Sequence, residues 1–139
     1  MTTVAHVPAQ EELLRSFAEL YWLKPFDIPW DALTAFHVAQ RIKPDETIVD
    51  LGCGDGLFST LMFGGRLALD TDRFRGARVG HQLILPNQEG DIYRSEEWAP
   101  RLAVPPQRRV DVGLELKAYH LKIAQQLCLY ERLVEGSFE

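Results

Sequence analysis

Residues 48–56 read Ile48-Val49-Asp50-Leu51-Gly52-Cys53-Gly54-Asp55-Gly56, an apolar run carrying an acid, then glycine at every second position. No other stretch constrains the fold as much. The apolar run suits a strand buried on both faces, the setting of a parallel sheet. The glycines let the main chain turn tightly and let a flat ligand lie on it with no Cβ between. Leu57 to Phe63 reads as the helix that leaves the loop. Together these residues predict a strand, a ligand-ready loop and a helix.

Glycine spacing narrows the ligand. A dinucleotide fingerprint needs a small residue three after the second glycine. That place is Leu57, and the third glycine comes one residue early, at Gly56. With Asp50 inside the strand, the stretch resembles motif I of the class I S-adenosylmethionine (SAM) methyltransferases. The resemblance implies SAM as cofactor, with Asp50 organising the loop and the methionine end, and Gly52, Cys53, Gly54 and Gly56 giving close backbone approach.

Size and charge set the outer bounds. A chain of 139 residues is one domain by the usual prior, and its net charge of −5 gives no basic face for nucleic acid. The residues therefore disfavour DNA and RNA as substrates. Two cysteines, Cys53 in the loop and Cys128 in an expected helix, fit a reduced, cytoplasmic protein. No leader peptide and no membrane span are expected.

Residues 1–46 read as a helical lead-in. Leu13, Leu14, Phe17, Leu20 and Tyr21 give one amphipathic helix between Pro8 and Trp22. Two prolines between Lys24 and Pro29 break it. A second helix, Trp30 to Ile42, carries Leu33, Phe36, His37 and Arg41. Residues 47–65 then hold the motif I strand, Thr47 to Leu51, and its helix.

A second strand–helix–strand unit fills 108–139. Val110 to Glu115 is a strand ending in an acid, Lys117 to Leu129 has helical spacing, and Tyr130 onward is a further strand and turn. This unit is similar to the second and third strands of the same family, and the resemblance implies that Glu115 takes the cofactor's ribose hydroxyls and Leu116 touches the adenine. A carboxylate suits that task because two acceptor oxygens meet two hydroxyl donors. Where the family often has an acid after the third strand, Ser137 offers a hydroxyl. Leu67-Ala68-Leu69-Asp70 competes as strand two, but Asp70 follows Gly56 by only 14 residues, short for a crossover helix. Excising 66–107 brings Glu115 to 17 residues after Gly56, near the roughly 20 of the analogous dinucleotide motif. Both acids stay open at this point, with Glu115 preferred.

Residues 66–107 thus read as a 42-residue insertion, either a lid or recognition flap or a tolerated surface loop. Asp72 and Asp91 lack ligand-type spacing, so no metal is expected. Of His6, His37, His81 and His120, His81 in the insertion comes nearest to a candidate base, and no catalytic residue is assigned.

The expected fold is α/β: a Rossmann-like, three-layer methyltransferase domain with N-terminal helices, the insertion, and an incomplete parallel sheet ordered three-two-one. Strand four of the family would pair with the free side of residues 47–51, so a homodimer or a partner covering that edge is expected. The expected activity is SAM-dependent methyl transfer to an acceptor that is a small molecule sooner than a macromolecule. The alternatives are a non-catalytic remnant that binds SAM or a protein, and a nucleotide-binding oxidoreductase.

Overall fold

The computed structural model describes residues 7–20, 26–68 and 101–137. Its elements are α1 (Gln10–Leu20), α2 (Ile28–Arg41), β1 (Val49–Leu51), α3 (Leu57–Met62), β2 (Arg66–Ala68), β3 (Arg101–Val104), β4 (Val110–Glu115), α4 (Ala118–Gln126) and β5 (Tyr130–Glu135). β1, β4 and β5 form one parallel sheet in that order, with Asp50 opposite Gly113 and Glu115 opposite Glu135. The chain is therefore α/β, and the sheet runs three-two-one in the sense expected from the sequence. Ile48 enters β1 with its N–H donated to the Asp111 carboxylate at 2.8 Å, which fixes the register against β4. The Arg108 guanidinium donates to the carbonyls of Lys43 and Glu46, tying the turn before β1 to the segment that leads into β4.

β2 and β3 form a separate antiparallel pair, so Leu67-Ala68 is not a strand of the parallel sheet. The chain leaves α3 and returns close by, with the Gln107 N–H donating to Phe63 O at 2.9 Å. Closely spaced ends are what allow a long segment to be added here without disturbing the sheet. Asp70, Asp72, His81 and Asp91 lie outside the described residues, as does His6.

The described helices share one core. Leu13 and Phe17 of α1, Ala32, Ala35 and Ala39 of α2, Leu57 and Leu61 of α3, and Ile123 and Ala124 of α4 pack there with Val110, Leu129 and Tyr130. Phe17 stacks at a tilt on Phe58, centroids 5.3 Å apart. Three sequence expectations need correction. α2 begins at Ile28, with Pro29 inside its first turn, because proline lacks only an N–H that this turn leaves unpaired anyway. Its buried stripe is Ile28 and three alanines, small enough for close helix packing, while His37 and Arg41 are exposed. Cys128 lies past α4, exposed and at φ 52, not within the helix.

The third correction concerns β1. The apolar run predicts burial on both faces, yet Val49 and Leu51 are 54% and 60% exposed. The opposite side of the strand carries Asp50, which accepts a hydrogen bond from Ser59 of α3. Among the described residues, α3 meets that side of β1, and the side chains on the other are more than half exposed.

Candidate functional site

In open α/β sheets ligands bind beyond the carboxyl ends of the strands. Here those ends bring together the glycine loop after β1 and the acid that closes β4. The loop is set by two main-chain bonds, Cys53 N–H to Leu114 O at 3.0 Å and Gly56 N–H to Cys53 O at 3.1 Å. Gly52, Gly54 and Gly56 all have positive φ, a region that costs other residues about 1–2 kcal/mol. The three differ in what they face. A Cβ built on Gly52 or Gly54 meets nothing within 4 Å, whereas one on Gly56 comes within 3.0 Å of the Tyr130 ring. Gly52 and Gly54 present bare main chain to open space, and Gly56 makes room for the protein's own packing.

Glu115 is bound to that loop directly. Its Oε2 accepts the Gly54 N–H at 2.8 Å, and its Oε1 accepts the N–H groups of Leu116 and Lys117 at 2.9 and 3.0 Å. Burial works against its charge, but the Lys117 and Gly54 amides, nearby His120 and the Leu116 amide outweigh it and hold the carboxyl below the usual glutamate range. Leu116 is 64% exposed beside it. Ser137 lies just past β5, after Gly136, whose N–H bonds Glu115 O at 3.0 Å.

Asp50 and Cys53 turn inward. Asp50 Oδ2 accepts the hydroxyls of Ser59 and Tyr130, both at 2.7 Å. Cys53 is buried, and burial together with the charge of Asp50 pushes its thiol up to about 11. A thiol held protonated is no nucleophile at neutral pH, so Cys53 serves the loop through its backbone. Tyr130 is likewise raised above its ordinary value, first by burial and then by Asp50.

Asp55 completes the loop, its Oδ1 accepting the Leu57 N–H at 3.0 Å at the start of α3. Burial raises its carboxyl, only partly offset by the Leu57 amide and by His120. A raised acid costs folding free energy while ionised, and this cost fades as pH falls through the folded value toward about 3.9, the unfolded one. Asp55→Asn keeps the acceptor and removes the charge. It is expected to raise the melting temperature at pH 7, with the gain shrinking toward pH 4, as followed by thermal denaturation across that range.

Three contributors carry no local signal of a role. Tyr130 reaches Asp50 from 80 residues away and Ser59 from the helix that leaves the loop, and His120, read as structural or exposed, sits with Nδ1 3.8 Å from Glu115 Oε1, buried and without a hydrogen-bond partner. One signal for Tyr130 exists in the sequence. Glycine in mid-strand marks close approach by a neighbour, and a Cβ on Gly113 would come within 2.7 Å of the Tyr130 ring.

A separate pocket of about 360 Å³, lined in part by Ala39, Ile42, Met62 and Phe63, includes none of the glycine-loop residues. Among the described residues no cluster of three His, Cys, Asp or Glu could hold a metal ion, and no helix is long and apolar enough to cross a membrane. The chain matches no family model, no curated protein and no solved structure.

Proposed function

We propose that this chain binds SAM at the Gly52–Gly54 loop and acts as a SAM-dependent methyltransferase or as its cofactor-binding half. The observation that carries the reading is the pair of glycines facing open space beside an acid at the end of the neighbouring strand. Leu51 and Leu116, 60% and 64% exposed, flank that bare main chain with apolar surface for a nucleoside. Electrostatics favour SAM over a dinucleotide. The Gly54 N–H that a pyrophosphate would need is already held by Glu115, and Asp50 and Asp55 add acid at the same loop. A phosphate would meet repulsion here, whereas a sulfonium with an ammonium group would not.

When bound, SAM supplies the methyl group on a sulfonium that leaves as a neutral thioether. The chain's part is to hold the nucleoside, keep the loop rigid through the Glu115–Gly54 bond, and leave the reacting end free for an aligned acceptor. A small-molecule acceptor fits the net charge of −5, which gives nothing in the composition to draw a nucleic acid.

A second reading, a non-catalytic module that binds SAM or a partner, is favoured by one observation. Among the described residues β1 is an edge strand with Val49 and Leu51 exposed, and such an apolar edge invites association.

Calorimetric titration tests the proposal. SAM is expected to bind once per chain and NAD not at all. Gly54→Ala puts a methyl group where the ligand lies and should weaken SAM at least tenfold in a protein that remains folded. A folded wild type that takes up no SAM ends the proposal, and binding without turnover of any acceptor leaves the second reading.

A further inference from the structure

A carboxylate has about four acceptor positions, two on each oxygen. Among the described residues, three are filled in Glu115. Oε1 takes two amides, from Leu116 and Lys117, and Oε2 takes one, from Gly54. His120 Nδ1, 3.8 Å from Oε1, is too far to be a further partner. One position is left, on Oε2, the oxygen that faces the glycine loop. A ribose offers two neighbouring hydroxyl donors. Both can be accepted only if an amide bonded to Oε1 lets go, and a hydrogen bond to a charged group is among the stronger ones in a protein. Exchanging one such bond for another gains little.

We infer that Glu115 sets an asymmetric specificity at this site: it takes a single ribose hydroxyl, on Oε2, and leaves the second hydroxyl to solvent. This rests on the SAM-site reading above and deepens it. The ligand class that follows is broader than ribonucleosides, since one of the two monodeoxy forms meets the same acceptor equally well. The carboxylate is also shared. The oxygen that receives the hydroxyl is the one that fixes Gly54, so ligand binding and loop order act through one atom.

The test compares S-adenosylhomocysteine with its 2′-deoxy and 3′-deoxy analogues on the wild-type chain by calorimetry. One analogue is expected to bind within about threefold of the parent and the other at least about tenfold more weakly, the loss of one charge-assisted bond. If both analogues are weakened tenfold or more, the diol is clasped by both oxygens and the inference fails. If neither is weakened, Glu115 does not hold the ribose and the inference fails as well. Absence of binding by S-adenosylhomocysteine itself is a separate result, which overturns the SAM-site reading and the inference with it.

Discussion

Alanine in place of Tyr130 is expected to cost about 3–5 kcal/mol of stability, the usual range for removing a buried aromatic ring. The ring is the plug beneath the glycine loop. It lies against Gly56 and Gly113, where an added Cβ would come within 3.0 and 2.7 Å of it, and its hydroxyl donates to Asp50 at 2.7 Å. Its loss opens a cavity where α4, β4 and the loop meet and leaves Asp50 with Ser59 as its remaining hydroxyl donor. A small domain has only about 5–15 kcal/mol in total, so the variant should sit near its unfolding threshold. Tyr130→Phe keeps the ring and removes one hydrogen bond to a charged acceptor, a loss of about 1.5–3 kcal/mol. Urea denaturation of the three proteins measures both steps. A Tyr130→Ala midpoint close to that of the wild type would contradict the packing described here.

Glu115→Ala is expected to lower SAM affinity about 10- to 100-fold, corresponding to roughly 1.5–3 kcal/mol of charge-assisted hydrogen bonding. Two losses combine. The ribose loses its acceptor, and the Gly54 N–H loses the carboxylate that fixes the loop. The pH dependence follows from the depressed carboxyl. An acid whose folded value is lowered contributes its stability above the unfolded value, about 4.3, and loses it as pH falls through the folded one. The difference between wild type and variant should therefore hold steady from pH 8 to 5 and close only below that. Titrations at three pH values check it, and a difference that disappears by pH 6 would assign the effect to another group. If Glu115→Ala binds normally, the acceptor of the ribose lies elsewhere, and Asp70→Ala becomes the variant to measure.

Much of the fold was legible because local and global signals agree. Val110 to Glu115 and the strand beginning at Tyr130 occupy the residues that their patterns mark, and excising the long segment after α3 correctly pairs β4 with β1. Where the pattern misled, a tertiary fact decided. Val49 and Leu51 read as doubly buried because an apolar run carries no record of how many faces are covered, and here only the Asp50 side meets a helix among the described residues. In α2 the helical pattern did not say which side turns inward: alanines form the buried stripe against α1 and α3, with Phe36 packed partly buried beside them. At the site, loop glycines and acids stand out in sequence because unusual backbone and charge are rare inside strands. Their division of labour does not. That Gly52 and Gly54 face outward while Gly56 faces Tyr130, and that Asp50 is held from beneath by Ser59 and Tyr130, depends on residues up to 80 positions away.

The SAM assignment meets its most direct test in a crystal structure of the chain soaked with S-adenosylhomocysteine. The account predicts the nucleoside lying on the open side of Gly52 and Gly54, with a ribose hydroxyl on Glu115 Oε2 and the adenine beside Leu116. Density for the ligand at any other place, or none at saturating concentration in an otherwise ordered crystal, would contradict it.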